Sequence, residues 1–119
     1  DRIPLYLKAM DVLTIPSPAL PFYQFYSSPL KLFEYLAAGK PIVASNLPAL
    51  REVLNRQNSV LVEPDNSQDL ARGITSVLND GQKCQALSEA ALQFVSSQTW
   101  DNRAQKIVNF FYENHPHRP

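Results

Sequence analysis

The sequence predicts an α/β fold, a three-layer arrangement of a small parallel sheet of about three strands with flanking helices, and three observations carry it. Short apolar runs recur at Val12–Ile15, Ile42–Ala44 and Val60–Val62, the first and third closed by Pro16 and Pro64, the second opened by Lys40-Pro41. Stretches of helical periodicity separate these runs. Beyond the third run the pattern is helical only. Strands joined through helices require right-handed crossovers, which make neighbouring strands parallel.

Taken in order, Ile3, Leu7 and Met10 have helical spacing and predict a helix over Ile3 to Ala9. The segment Ser17 to Ser27 carries Pro18 and Pro21 among Phe22, Tyr23, Phe25 and Tyr26, so it reads as a long loop after the first strand. Ser28 and Pro29 start the next helix: a serine hydroxyl accepts from the amide of Lys31, and a proline at the first helical position loses no bond. Gly39 stops it. Leu30, Phe33 and Ala37 share one face, and Lys31 and Glu34 lie together on another. After the second strand, Asn46 and Pro48 open a helix to about Leu54. Ser67 caps a helix holding Leu70, Ile74 and Val77, which Asp80-Gly81 ends. A further helix covers Ala86 to Phe94. After Thr99, the last one aligns Trp100, Ala104, Ile107, Val108 and Phe111 on one stripe. Residues 115–119, proline-broken, read as a flexible tail behind a single domain over residues 1–114.

Composition excludes several classes. The chain has 119 residues, 45% hydrophobic and 18% charged, enough for one core and too few for two domains. Eleven Lys and Arg balance eleven Asp and Glu, so no overall field draws nucleic acid or an anionic membrane. Cys84 is the only cysteine, which excludes an internal disulfide framework, and two histidines do not complete a Cys/His zinc site. Cys84 reads as a small, partly buried apolar residue. No apolar stretch reaches membrane-spanning length and no signal peptide opens the chain, so a reducing, cytoplasmic setting is expected. A start at Asp1 without methionine suggests a piece of something longer.

The sharpest local feature lies where the first strand gives way to the helix at Pro29. Ligands of open parallel sheets bind outside the carboxyl ends of strands, and a helix start adds unpaired amides and a positive dipole end. With Lys31 alongside, the place suits a phosphate or diphosphate. Glu34, one turn on, offers a carboxylate able to accept two hydrogen bonds side by side from vicinal hydroxyls; alternatively it is a solvated partner of Lys31. The aromatic loop from Phe22 to Tyr26 either stacks on a base or sugar as a lid or covers the sheet edge. No Gly-x-Ser-x-Gly context surrounds Ser17, Ser27 or Ser45, and Gly39, Gly73 and Gly81 are too scattered for a dinucleotide or P-loop fingerprint. His115 and His117 have no third ligand nearby, so neither a metal nor another cofactor is expected.

Three stretches, Met10 to Ser17, Ser27 to Leu54 and Asn58 to Pro64, together resemble the glycosyltransferase group 1 family, most specifically between Lys31 and Ser45. Trp100-Asp101 and Tyr112 fall where that family has its closing helix. The resemblance implies a GT-B enzyme, with two Rossmann-like domains facing across a cleft, and places this chain in the later part of the C-terminal, nucleotide-sugar-binding domain. It implies that Glu34 holds the nucleotide ribose, that amides around Ser28, Pro29 and Leu30 face the diphosphate and donor sugar, and that Lys31 faces a phosphate or an ion-pair partner. Glu52 matches a recurrent family glutamate for which a structural hydrogen bond is an equal explanation. Many relatives carry a glutamate eight positions before Glu34, opening a glycine-rich loop; here that place is Tyr26, so Tyr26 and Ser27 stand only as candidate donor or lid contacts.

The resemblance therefore implies donor binding without catalysis by the chain alone. A nucleotide diphosphate sugar is the expected small-molecule partner, and an upstream domain of the same polypeptide the expected protein partner. No catalytic residue is assigned. A sugar-nucleotide epimerase of the same architecture, and a non-catalytic interaction module using the aromatic loop, are the alternative readings.

Overall fold

A computed structural model describes residues 2–27 and 30–114. Helix α1, Ile3–Ala9, begins with a proline in its first turn and leads into strand β1, Leu13–Ile15. Helix α2, Leu30–Ala38, ends at Gly39, whose φ of +65° is the left-handed conformation that glycine adopts most cheaply. Strand β2, Ile42–Ser45, short helix α3, Pro48–Arg51, and strand β3, Val60–Val62, come next. Three helices close the described chain: α4, Ser67–Leu78; α5, Gly81–Ser96; and α6, Trp100–Asn114.

The sheet has strand order β1-β2-β3, both pairs parallel, with Leu13 opposite Ile42 and Val43 opposite Val60. Side chains alternate across it, so each face builds its own layer. Leu13, Ile15, Ile42 and Ala44 pack with Leu32 and Leu36 of α2 and with Leu47, Leu50 and Leu54. On the other face Val43 and Val62 pack with Val77, Leu70 and Ile74 of α4. Helix α5 serves both layers, with Ala91 in the first cluster and Leu87 in the second. Cys84 packs half-buried against the second.

A close approach fixes α4 on the sheet. A Cβ on Gly73 would sit 2.7 Å from Val62 Cγ1 and 2.9 Å from Val43 Cγ1, so only glycine lets α4 lie this near β2 and β3. Buried polar groups before β3 are satisfied locally. Asn58 accepts from the amide of Asn55 at 2.8 Å and donates to Val53 O, and Ser59 Oγ donates to Asn55 O.

Several boundaries differ from the sequence reading. The aromatic segment is not all loop: Phe22–Tyr26 forms a π-helical turn. Pro21 enters it in helical conformation, and Gln24 secures it by hydrogen bonds donated from its backbone N–H to Leu20 O and from Nε2 to Ala19 O. Asp80-Gly81 does not merely end α4. Asp80 Oδ1 accepts from Lys83 N, making it the N-cap of α5, so α5 starts five residues earlier than Ala86. Asn66, not Ser67, caps α4 through Asp69 N, and α3 stops at Arg51 behind the uncapped Leu47. Strand β2 gains Ser45. Ser28, Pro29 and the tail from 115 lie outside the described residues.

Candidate functional site

Parallel pairing brings the carboxyl ends of all three strands to one edge, at Ile15, Ser45 and Val62. Tight turns follow β1 and β2, where Ser17 N donates to Ile15 O and Leu47 N to Ser45 O, while Asn46 N reaches across to Val62 O at 2.7 Å. A crevice of about 290 Å³ opens there between Pro16, Ser45, Val62 and the start of α4.

Its chemistry is acidic. Glu63 and Asp65 line it, and among the described residues no cation does. Asp65 adopts φ +57° and accepts from Ala19 N at 2.9 Å, which ties the aromatic segment to the loop before α4. Next to it Asp69 Oδ2 accepts from the amide of Glu63 at 2.6 Å and Oδ1 from Arg72 at 3.0 Å. The Glu63 amide first, and Arg72 second, hold the Asp69 carboxyl below the usual carboxylate range.

Helix α2 returns antiparallel to the strands, so its first turn sits by the same carboxyl edge. Lys31 and Glu34 both lie on it, and among the described residues no ion pair joins them. Both side chains are exposed. Glu34 lines a cleft of about 200 Å³ between α1 and the second half of α2, with Ala37 and Ala38 beside it and Ile3, Pro4, Leu7 and Lys8 opposite. Leu30, 73% exposed, lines a different cleft of about 250 Å³ between α2 and the start of α6. The start of α2 thus borders the cleft toward α6, and its second half, from Glu34 on, borders the cleft toward α1.

Tyr26 is 77% exposed and meets Phe25 edge-on at 6.5 Å, while Ser27 is half-buried. Of the aromatic segment only Tyr23 packs against the core; Phe22 and Phe25 point outward rather than over the sheet. Glu52 is exposed at the end of α3. Among the described residues no group of three His, Cys, Asp or Glu side chains could hold a metal ion, and no helix is long and apolar enough to cross a membrane. Sequence reasoning missed the acidic crevice and the α2–α6 cleft. The first was signalled only by Glu63, Asp65 and Asp69 after a strand, the second by Arg103 and Lys106 beside an apolar stripe.

A parallel sheet covered on both faces, with clefts around a helix that starts from its carboxyl edge, is the architecture of a Rossmann-like ligand-binding half-domain. The chain belongs to the glycosyl transferases group 1 family, whose sequence pattern matches residues 1–80. It is 31% identical over 113 residues to an uncharacterized glycosyltransferase of Methanocaldococcus jannaschii, an alignment covering 93% of this chain and 27% of that protein. Anabaena HepE, solved in complex with UDP, superposes with a TM-score of 0.77 at 26% identity over 93% of this chain and 30% of HepE. HepE in complex with UDP-glucose gives 0.73 at 25%, over 95% and 30%. The C-terminal domain of a group 1 family protein from Francisella tularensis shares the fold, with a TM-score of 0.65 at 23% identity over 80% of this chain and 46% of that domain. The chain spans 27% of the length of the M. jannaschii relative.

Proposed function

We propose that this chain is the donor-binding portion of a glycosyltransferase, taking a nucleotide diphosphate sugar beside the first half of α2. The observation that carries the reading is the likeness to HepE, a protein solved with UDP and with UDP-glucose. It is supported by Lys31 and Glu34, two mutually unpaired charges one turn apart on a helix that starts at the carboxyl edge.

In this reading an ionised Glu34 accepts hydrogen bonds from both ribose hydroxyls. The amides of Ser28 and Leu30, the positive end of α2 and Lys31 face the diphosphate. As the glycosyl bond breaks, negative charge grows on the departing diphosphate, and these groups stabilise it without moving. Tyr26 and Ser27 are the nearest candidates for contact with the sugar or for a lid over it.

The acceptor site and the groups that move protons belong, in this reading, to an upstream domain of the same polypeptide, and the chain alone does not transfer sugar. The exposed apolar residues in the second half of α6, with Ile107 60% and Val108 45% exposed, support docking of that domain there, beyond Trp100. A cytoplasmic setting belongs to the same reading.

The test is Glu34→Gln in the intact polypeptide. Loss of a charge-assisted hydrogen bond is worth about 1.5–3 kcal/mol, so roughly ten- to a hundredfold weaker donor use is expected with an unchanged circular dichroism spectrum. Transfer at the wild-type rate and donor affinity would contradict the ribose role.

A further inference from the structure

The cleft between α2 and α6 carries a chemistry distinct from that around Glu34. Its floor is apolar, from Phe33 and Leu30, and Trp100 forms one wall with its side chain 78% exposed. Arg103 and Lys106, three residues apart on α6, supply two positive charges. Neither makes an ion pair or a side-chain hydrogen bond among the described residues, and the lining holds no carboxylate. Asp101, the nearest acid in sequence, is two residues from Arg103 and so faces the far side of the helix.

Neutral polar groups complete the lining, and their internal bonds hold them in place. Asn102 Nδ2 donates to Ser97 O at 2.9 Å, Asn102 N to Thr99 Oγ1 at 3.2 Å, and Gln98 Nε2 to Ser97 Oγ at 3.1 Å. This leaves Asn102 Oδ1, Gln98 Oε1 and the Thr99 hydroxyl proton for a ligand.

Each part of this set has a matching chemistry. An exposed indole face takes the apolar C–H face of a pyranose, amide oxygens and a hydroxyl take sugar hydroxyls, and two unpaired cations without a competing carboxylate take a phosphate. The volume of about 250 Å³ is small for a whole nucleotide sugar and suited to one sugar ring with its phosphate. We propose that the α2–α6 cleft binds a phosphorylated monosaccharide, through Trp100, Arg103 and Lys106, separately from the site around Glu34.

Binding is measured on this chain by calorimetry and by amide shifts, with glucose 6-phosphate as probe and with glucose and inorganic phosphate as controls. Saturable binding of glucose 6-phosphate at least tenfold tighter than either control, with shifts centred on 97–106, is expected. Arg103→Gln with Lys106→Gln should weaken it at least tenfold and Trp100→Ala severalfold. Lys31→Gln and Glu34→Gln should leave it unchanged, which separates failure here from failure of the donor reading. Trp100, Arg103 and Lys106 are all exposed, so their variants keep the wild-type spectrum. Absence of saturable binding would overturn the proposal, as would equal affinity for inorganic phosphate alone, shifts centred on α1, or insensitivity to the Arg103 and Lys106 changes.

Discussion

Strand β2 and helix α6 are both rich in apolar residues and meet opposite fates. All four residues of β2 are buried, whereas every residue of α6 is exposed, including Trp100, Ala104, Ile107 and Val108 on its apolar stripe. The strand has a neighbour on each edge and a helix layer on each face, all supplied by this chain. Helix α6 has an amphipathic pattern of the kind that elsewhere packs onto a core, yet none of its residues is buried. Hydrophobic pattern therefore says that a face wants cover and not which part of a polypeptide supplies it. The contrast separates a buried framework, the sheet with the layers that α2, α4 and α5 place on it, from a helix that the described residues leave uncovered.

That division can be broken by substitution, starting in the helix layer packed on the sheet. Leu36, fully buried against β1 and β2, should lose about 2–5 kcal/mol of stability on change to Ala, read from denaturant midpoints. Gly73→Ala forces a methyl group against Val43 and Val62; strain of about 1–3 kcal/mol outweighs the gain of roughly 1 kcal/mol in helix propensity, for a small net loss. Acid should act through Asp69. Its carboxyl is depressed in the fold, so its contribution is fully present above the unfolded value of 3.8 and is lost as pH falls through the lower folded value. Asp69→Asn should flatten stability against pH below that value, and the wild-type dependence should shrink in high salt. Smallest of all, Ile107→Ser on α6 should change stability by no more than about 0.5 kcal/mol. A loss there comparable to that of Leu36→Ala would erase the distinction between the two regions.

Much of the fold was legible because short-range signals agreed. Ile3–Ala9 and Val60–Val62 have the limits expected, and Gly39 stops α2 with the positive φ that a glycine stop implies. The failures have a common cause in residues with two local uses. Asp80-Gly81 is a turn signal and equally an N-cap with a first helical residue behind it, and the polar first turns of α5 gave periodicity nothing to reveal. Pro21 argues against helix after Ser17, yet proline is tolerated where a helical turn begins. For the site, the chemical character of Lys31 and Glu34 could be read directly, but their neighbours could not. That Glu34 faces α1 while Leu30 faces α6 depends on the packing of segments far apart in sequence.

Donor binding by the first half of α2 is tested most directly by titrating UDP into the isotope-labelled chain and monitoring its backbone amides. Saturable shifts concentrated on residues 30–35, weakened at least severalfold by Glu34→Gln and left intact by Arg103→Gln with Lys106→Gln, are the predicted result. Saturable shifts that map elsewhere and ignore the Glu34 change, or no shifts at millimolar UDP, would contradict it.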